Sequence, residues 1–117
     1  MKNGKVIVAG SRSINDWEYI FKLLDTHESE ISEVVSGGAK GVDTWGEIWA
    51  EASHIPYIQF PAEWDKYGKQ AGYLRNQQMA EYADALIAIW DGQSKGTKHM
   101  IDIMTKMNKP VFVYEKQ

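Results

Sequence analysis

The chain has 117 residues, 44% hydrophobic and 12% aromatic, which is enough apolar side chain for one buried core and too little length for two domains. With 13 Lys and Arg against 16 Asp and Glu, the net charge of −3 gives no overall basic field, so general nucleic-acid binding is not expected. The absence of cysteine excludes disulfides, thiolate catalysis and cysteine-based metal sites, and no apolar stretch approaches the roughly 20 residues of a membrane span, so no membrane association and a cytoplasmic location are expected.

The first apolar run, Lys5 to Ala9, reads as a strand and ends in Gly10-Ser11-Arg12. Asn15 and Asp16 then offer helix caps before Trp17, Ile20, Phe21 and Leu24, which recur at the spacing of one helix face. A second strand over Glu33 to Ser36 leads into Ser36-Gly37-Gly38-Ala39-Lys40-Gly41-Val42-Asp43, and Val42, Trp45, Trp49 and Ala52 mark the inward stripe of the next helix. The third run, Pro56 to Phe60, opens on proline and is interrupted by Gln59, as suits a sheet edge.

Pro61 to Gln70 is longer than an ordinary connection and carries Glu63, Trp64 and Tyr67. It reads equally as a surface loop or as a lid over a ligand. A third helical stripe follows at Ala71, Met79 and Tyr82, with Arg75 on the same inward side near the helix start. The fourth strand, Ala85 to Trp90, runs into Asp91-Gly92-Gln93-Ser94-Lys95-Gly96-Thr97; a fourth helix aligns Thr97, Met100, Ile101 and Met104, and a last strand covers Pro110 to Tyr114.

This alternation predicts an α/β fold with a five-stranded parallel sheet and helices on both faces, because right-handed crossovers lay a helix over each pair of parallel neighbours. Val6 to Ala9 and Leu86 to Ile89 are continuously apolar, so they belong mid-sheet, and the inferred strand order is 3-2-1-4-5. In that order ligands are expected where the winding reverses, at the carboxyl ends of strands 1 and 4.

The loops after strands 1, 2 and 4 all reach that rim. The glycine-rich second loop opens a helix, an arrangement that offers backbone N–H groups and a positive helix end to phosphate. It is neither a Walker loop, since Lys40 precedes Gly41 and has no Ser or Thr beside it, nor a dinucleotide fingerprint, since Ser36 stands at the first glycine position. The expected ligand residues are Gly10, Ser11, Arg12, Ser36, Gly37, Gly38, Gly41, Asp43, Arg75, Asn76, Asp91, Ser94, Gly96 and Thr97. An inward arginine needs an anionic partner, either a ligand phosphate or an acid such as Asp43 or Asp91. Asp43 and Asp91 could bond ribose hydroxyls or activate water, and Glu47 reads as a solvated charge. Trp64 and Trp90 lie near the rim, where either could stack on a base, whereas Trp45 and Trp49 read as packing. His27, His54 and His99 form no metal triad and are taken as surface residues.

As a set, Gly10-Ser11-Arg12, Ser36 to Asp43, Tyr67 to Gly72, Arg75-Asn76 with Met79, Ala83-Asp84 and Trp90 to Thr97 resemble the SLOG superfamily, and more narrowly its small YspA-type branch of bacteria and phages. That group includes the Lonely Guy phosphoribohydrolases and DNA-processing protein A. The resemblance implies a Rossmann-like three-layer sandwich, a nucleotide-derived guest such as a nucleoside monophosphate or an ADP-ribose derivative, no required cofactor and a homo-oligomer. Arg75, Met79, Gly96 and Thr97 match the Lonely Guy pattern, but Met100 stands where that pattern carries its catalytic glutamate. N-glycosidic cleavage would then need Asp43, Asp91 or Glu63 to supply the carboxylate, with Arg75 clamping phosphate. Whether the chain is an enzyme is left open.

Overall fold

The computed structural model describes residues 4–116. Five parallel strands form one sheet in the order β3-β2-β1-β4-β5, with β1 at Gly4–Gly10, β2 at Ile31–Ser36, β3 at Tyr57–Gln59, β4 at Ala85–Trp90 and β5 at Val111–Glu115. The helices are α1 (Trp17–Thr26), α2 (Val42–Ala52), α3 (Trp64–Tyr67), α4 (Ala71–Tyr82) and α5 (Lys95–Lys106). The expected order and fold class therefore hold.

Two apolar layers flank the sheet because the strand residues alternate faces. Val6, Val8 and Val34 pack with Ile20 and Leu24 of α1 and Trp49 of α2, while Ile7, Val35 and Leu86 pack with Met79 of α4 and Met100 and Met104 of α5. Asp16 caps α1 by accepting from the Tyr19 N–H at 3.2 Å. Trp49 is buried, and its indole N–H donates to Asp25 at 2.9 Å, so α1 and α2 are tied by a satisfied polar contact as well as by packing. The inward stripe of α2 runs through Gly46 and Ala50, leaving Ala52 exposed.

Several expectations need correction. Pro61 to Gln70 is not plain loop: it contains α3 and a 3-10 turn at Gly68–Gln70. His27 is buried; one ring nitrogen lies 2.7 Å from Glu30 and the other 2.8 Å from the Tyr114 hydroxyl, which ties the end of α1 to the edge strand β5. Glu47 is half-buried and accepts hydrogen bonds from Ser36 (2.6 Å) and Gln59 (3.0 Å), so it is a bracing group between α2, β2 and β3. Among the described residues no helix is long and apolar enough to cross a membrane.

Candidate functional site

The carboxyl ends of β1, β2 and β4 meet at one rim. At the end of β1, a Cβ on Gly10 would lie 2.1 Å from the Ile89 carbonyl oxygen and 2.7 Å from Val42, so only glycine lets the strand pass between β4 and α2. Ser11 is buried behind the rim and accepts from the Asp91 N–H (2.9 Å) and the Ser94 hydroxyl (3.0 Å). It joins the first loop to the third and does not line the main cavity, which corrects its place among the expected ligand residues. Asp91 accepts from the Gln93 and Ser94 N–H groups at 2.8 Å each, and these bonds push its carboxyl down to about 2. The side chain closes its own loop and borders a shallow recess with Ser13, Asp16 and Lys116, outside the main cavity. Trp90, at the rim end of β4, donates from its indole to the Ser94 carbonyl at 3.1 Å, and neither residue lines the main cavity.

In the second loop Ser36 is buried, bonded to Glu47, and accepts from the Gly38 N–H at 3.1 Å. It shapes the turn from behind. Gly41 has φ +77° and its Cβ would meet the carbonyl oxygens of Arg12 and Ser11 at 2.6 and 2.7 Å, so the first two loops touch only because this residue is glycine. Asp43, in the first turn of α2, is 6% exposed and accepts from the Ala39 N–H at 3.3 Å. Burial pushes its carboxyl up to about 6, against the opposing pull of the Ala39 amide, Arg75 and the Gly10 amide, while Glu47 adds to the rise.

Arg75 reaches this loop from α4. Its guanidinium donates to the Gly37 carbonyl at 2.6 Å and to Asn76 Oδ1 at 3.1 Å, and a Cβ on Gly37 would sit 2.6 Å from that guanidinium and 3.1 Å from the Asp43 carboxylate. Burial lowers the arginine below its ordinary range; Asp43 opposes that shift and Arg12 adds to it. Asn76 is 6% exposed and donates to the Gly96 carbonyl at 3.2 Å, so neighbouring residues of α4 hold the second and third loops.

These contacts enclose a cavity of about 500 Å³. Gly10, Arg12 and Ser13 line it from the first loop, Ala39 and Asp43 from the second, Arg75, Asn76 and Met79 from α4, and Ser94, Lys95, Gly96 and Thr97 from the third. The floor includes buried Met100, and Asp43 is the one carboxylate among the lining residues. The starts of α2 and α5 both lack a side-chain cap, so their first amides are left for a guest or for water. Gly37 and Gly38 border a second, smaller cavity with Gln59 and Trp64, also walled by Arg12 and Arg75. Of the lid residues, Trp64 lies beside the main cavity without lining it, and Glu63 and Tyr67 stand exposed away from it. Lys95 lines the cavity although sequence reasoning assigned it no role; its place directly before Gly96-Thr97 was the available signal. Among the described residues no group of three His, Asp or Glu is arranged to hold a metal ion.

The fold is shared with DNA processing protein A from Streptococcus pneumoniae (TM-score 0.80, 19% identity, 99% of this chain and 51% of that one). It is shared also with DNA processing protein A from Helicobacter pylori, in a structure of its single-stranded DNA binding mode (TM-score 0.75, 19% identity, 97% of this chain and 66% of that one). The chain thus spans about half to two thirds of those proteins. The expectation of no general nucleic-acid binding is overturned by this likeness: the same fold serves a protein that binds single-stranded DNA, and an acidic net charge does not report on a rim bearing Arg12, Arg75 and Lys95. The gene 61 protein of Mycobacterium phage D29 is 34% identical over 116 residues, covering 92% of this chain and 93% of the phage protein. Residues 4–67, more than half of the chain, match the family described as YspA, cpYpsA-related SLOG, and the chain belongs to that SLOG family.

Proposed function

We propose that the rim cavity binds a nucleotide-derived ligand through its phosphate and ribose, as a nucleoside monophosphate or an ADP-ribose-like molecule, in a sensing or sequestering role. One observation carries the reading: three loops distant in sequence converge with Arg75 on a single cavity whose volume suits a small-molecule guest. Arg75 and Arg12 supply positive charge, and Gly96 and Thr97 at the start of α5 supply amides for phosphate oxygens. Asp43 is the group available to a ribose hydroxyl. A second reading, a nucleotide within single-stranded DNA, draws support from the Helicobacter pylori likeness.

A thermal-shift panel of nucleoside monophosphates, ADP-ribose and a short single-stranded oligonucleotide tests both. A true ligand at a hundredfold excess over its Kd raises stability by about 2.7 kcal/mol, and Arg75→Ala abolishes that gain. No shift with any member of the panel overturns the proposal. Chromatography of the recovered ligand separates binding from cleavage. Release of free base, lost in Asp43→Asn, would make the protein an N-glycosidase; unchanged ligand is the expected result, since Met100 leaves the cavity with a single carboxylate.

A further inference from the structure

Beside the main cavity lies a further recess of about 210 Å³, walled by Trp64 at the start of α3, by Lys69, and by Gly72 and Tyr73 in the first turn of α4. Arg12, Arg75, Asn76 and Gly96 line this recess and the main cavity alike, so the two lie side by side across a shared wall. Trp64 is 53% and Tyr73 50% exposed, although each ring is large enough to be worth burying. Exposed aromatics scattered singly are ordinary on a protein surface. Here two share one recess with three cationic side chains, and no carboxylate lines it.

Each ring also has a neighbour on a longer helix. A Cβ on Gly72 would lie 3.5 Å from the Trp64 ring, at ordinary van der Waals distance, so the indole lies over the first turn of α4. Tyr73 packs edge-on against His99, with ring centroids 4.6 Å apart and planes at 83°. Aromatic faces beside cationic side chains are the arrangement that receives a base and its phosphate, and base stacking of this kind tolerates any base.

We infer that the recess is a second nucleotide subsite, so that the natural ligand contains two nucleotide units joined through phosphate. The first unit occupies the rim cavity, the linking phosphate lies between Arg12 and Arg75, and the second base stacks on Trp64 or Tyr73 with Lys69 at its outer phosphate. This rests on the proposed reading of the rim cavity as a nucleotide site. The shared chemistry fits either a free dinucleotide or a stretch of single strand.

Calorimetric titration of the whole chain tests it, using 5′-mononucleotides, 5′-phosphorylated dinucleotides and ten-residue single strands in adenylate and thymidylate versions. The dinucleotide is expected to bind about 10- to 100-fold tighter than the mononucleotide. Trp64→Ala and Tyr73→Ala should shrink that ratio towards one without changing mononucleotide affinity, since neither ring lines the main cavity, and Trp64→Phe should restore most of it. A ten-residue strand binding tighter than the dinucleotide identifies single-stranded nucleic acid as the source, and equal affinity identifies a free dinucleotide. Equal binding of mono- and dinucleotide overturns the second subsite and leaves the rim site standing, as does a ratio untouched by both alanine variants. Binding of none of the probes overturns both.

Discussion

Asp43 is the residue in which the cost of the site is most visible. Its carboxyl is buried, and burial outweighs two backbone amides and an arginine, holding the group near 6 in place of the ordinary 3.8. The folded chain therefore keeps a proton that the unfolded chain releases, so the contribution of Asp43 to stability is fully present below about pH 4, is lost as pH rises to about 6 and is constant above that. Asp43→Asn should remove this slope and raise stability at pH 7 by about 1 to 3 kcal/mol, read from urea denaturation across pH 4 to 8. An unchanged slope would mean that another group causes it. Asp91 shows the opposite balance: with amide donors and little burial its carboxylate is favoured, and an Asp followed three residues on by Ser is a turn signal readable in the sequence. Its role in shaping a loop was thus legible, but a line of sequence does not reveal which way a side chain at a strand end will turn.

Among the elements, α2 shows how closely the helices lie on the sheet. Gly46 is in mid-helix, where alanine would ordinarily add about 1 kcal/mol of helix propensity. A Cβ there would lie 2.8 Å from Cγ1 and 3.1 Å from Cβ of Val8, a β-branched residue in the middle of β1 that has no room to withdraw. Overpacking of this kind costs about 1 to 3 kcal/mol, so Gly46→Ala should lower the melting temperature despite its better propensity. Elements with a clear period were legible in advance: β4 was read to the residue, and α1 was found from its cap and stripe. The short helix α3 was not, because four residues make little more than one turn and leave no periodicity to detect. The burial of His27 was hidden for another reason: its partner Tyr114 lies 87 residues away, on a strand whose register the local sequence does not specify.

For the molecule as a whole, net charge and local field point in different directions. The chain carries −3, yet the residues that wall the main cavity and the recess between Trp64 and Tyr73 include Arg12, Lys69, Arg75 and Lys95, with Asp43 as the one acid. Summing charges over a sequence erases such an arrangement, which explains why the composition pointed away from nucleic acid. If Arg12, Lys69 and Arg75 each neutralise one phosphate of a single strand, log affinity should fall with log salt at a slope of about −2, or roughly 15-fold between 50 and 200 mM. A flat salt response in filter binding would exclude phosphate contacts at the rim. The convergence of three strand-end loops could be foreseen because parallel strands share a direction, and so could the strand order, from the two fully apolar runs. The recess between Trp64 and Tyr73 could not, since it depends on α3 folding back against α4.

The bonds that knit the rim, Ser11 with Asp91 and Ser94, Arg75 with Gly37 and Asn76 with Gly96, all close within the chain itself. A guest therefore meets a receptacle whose contour is already set, and little conformational freedom remains to be surrendered on arrival. Recognition should then proceed as a lock admits a key, in one kinetic phase whose rate rises in proportion to guest concentration and with the loops superimposable before and after occupancy.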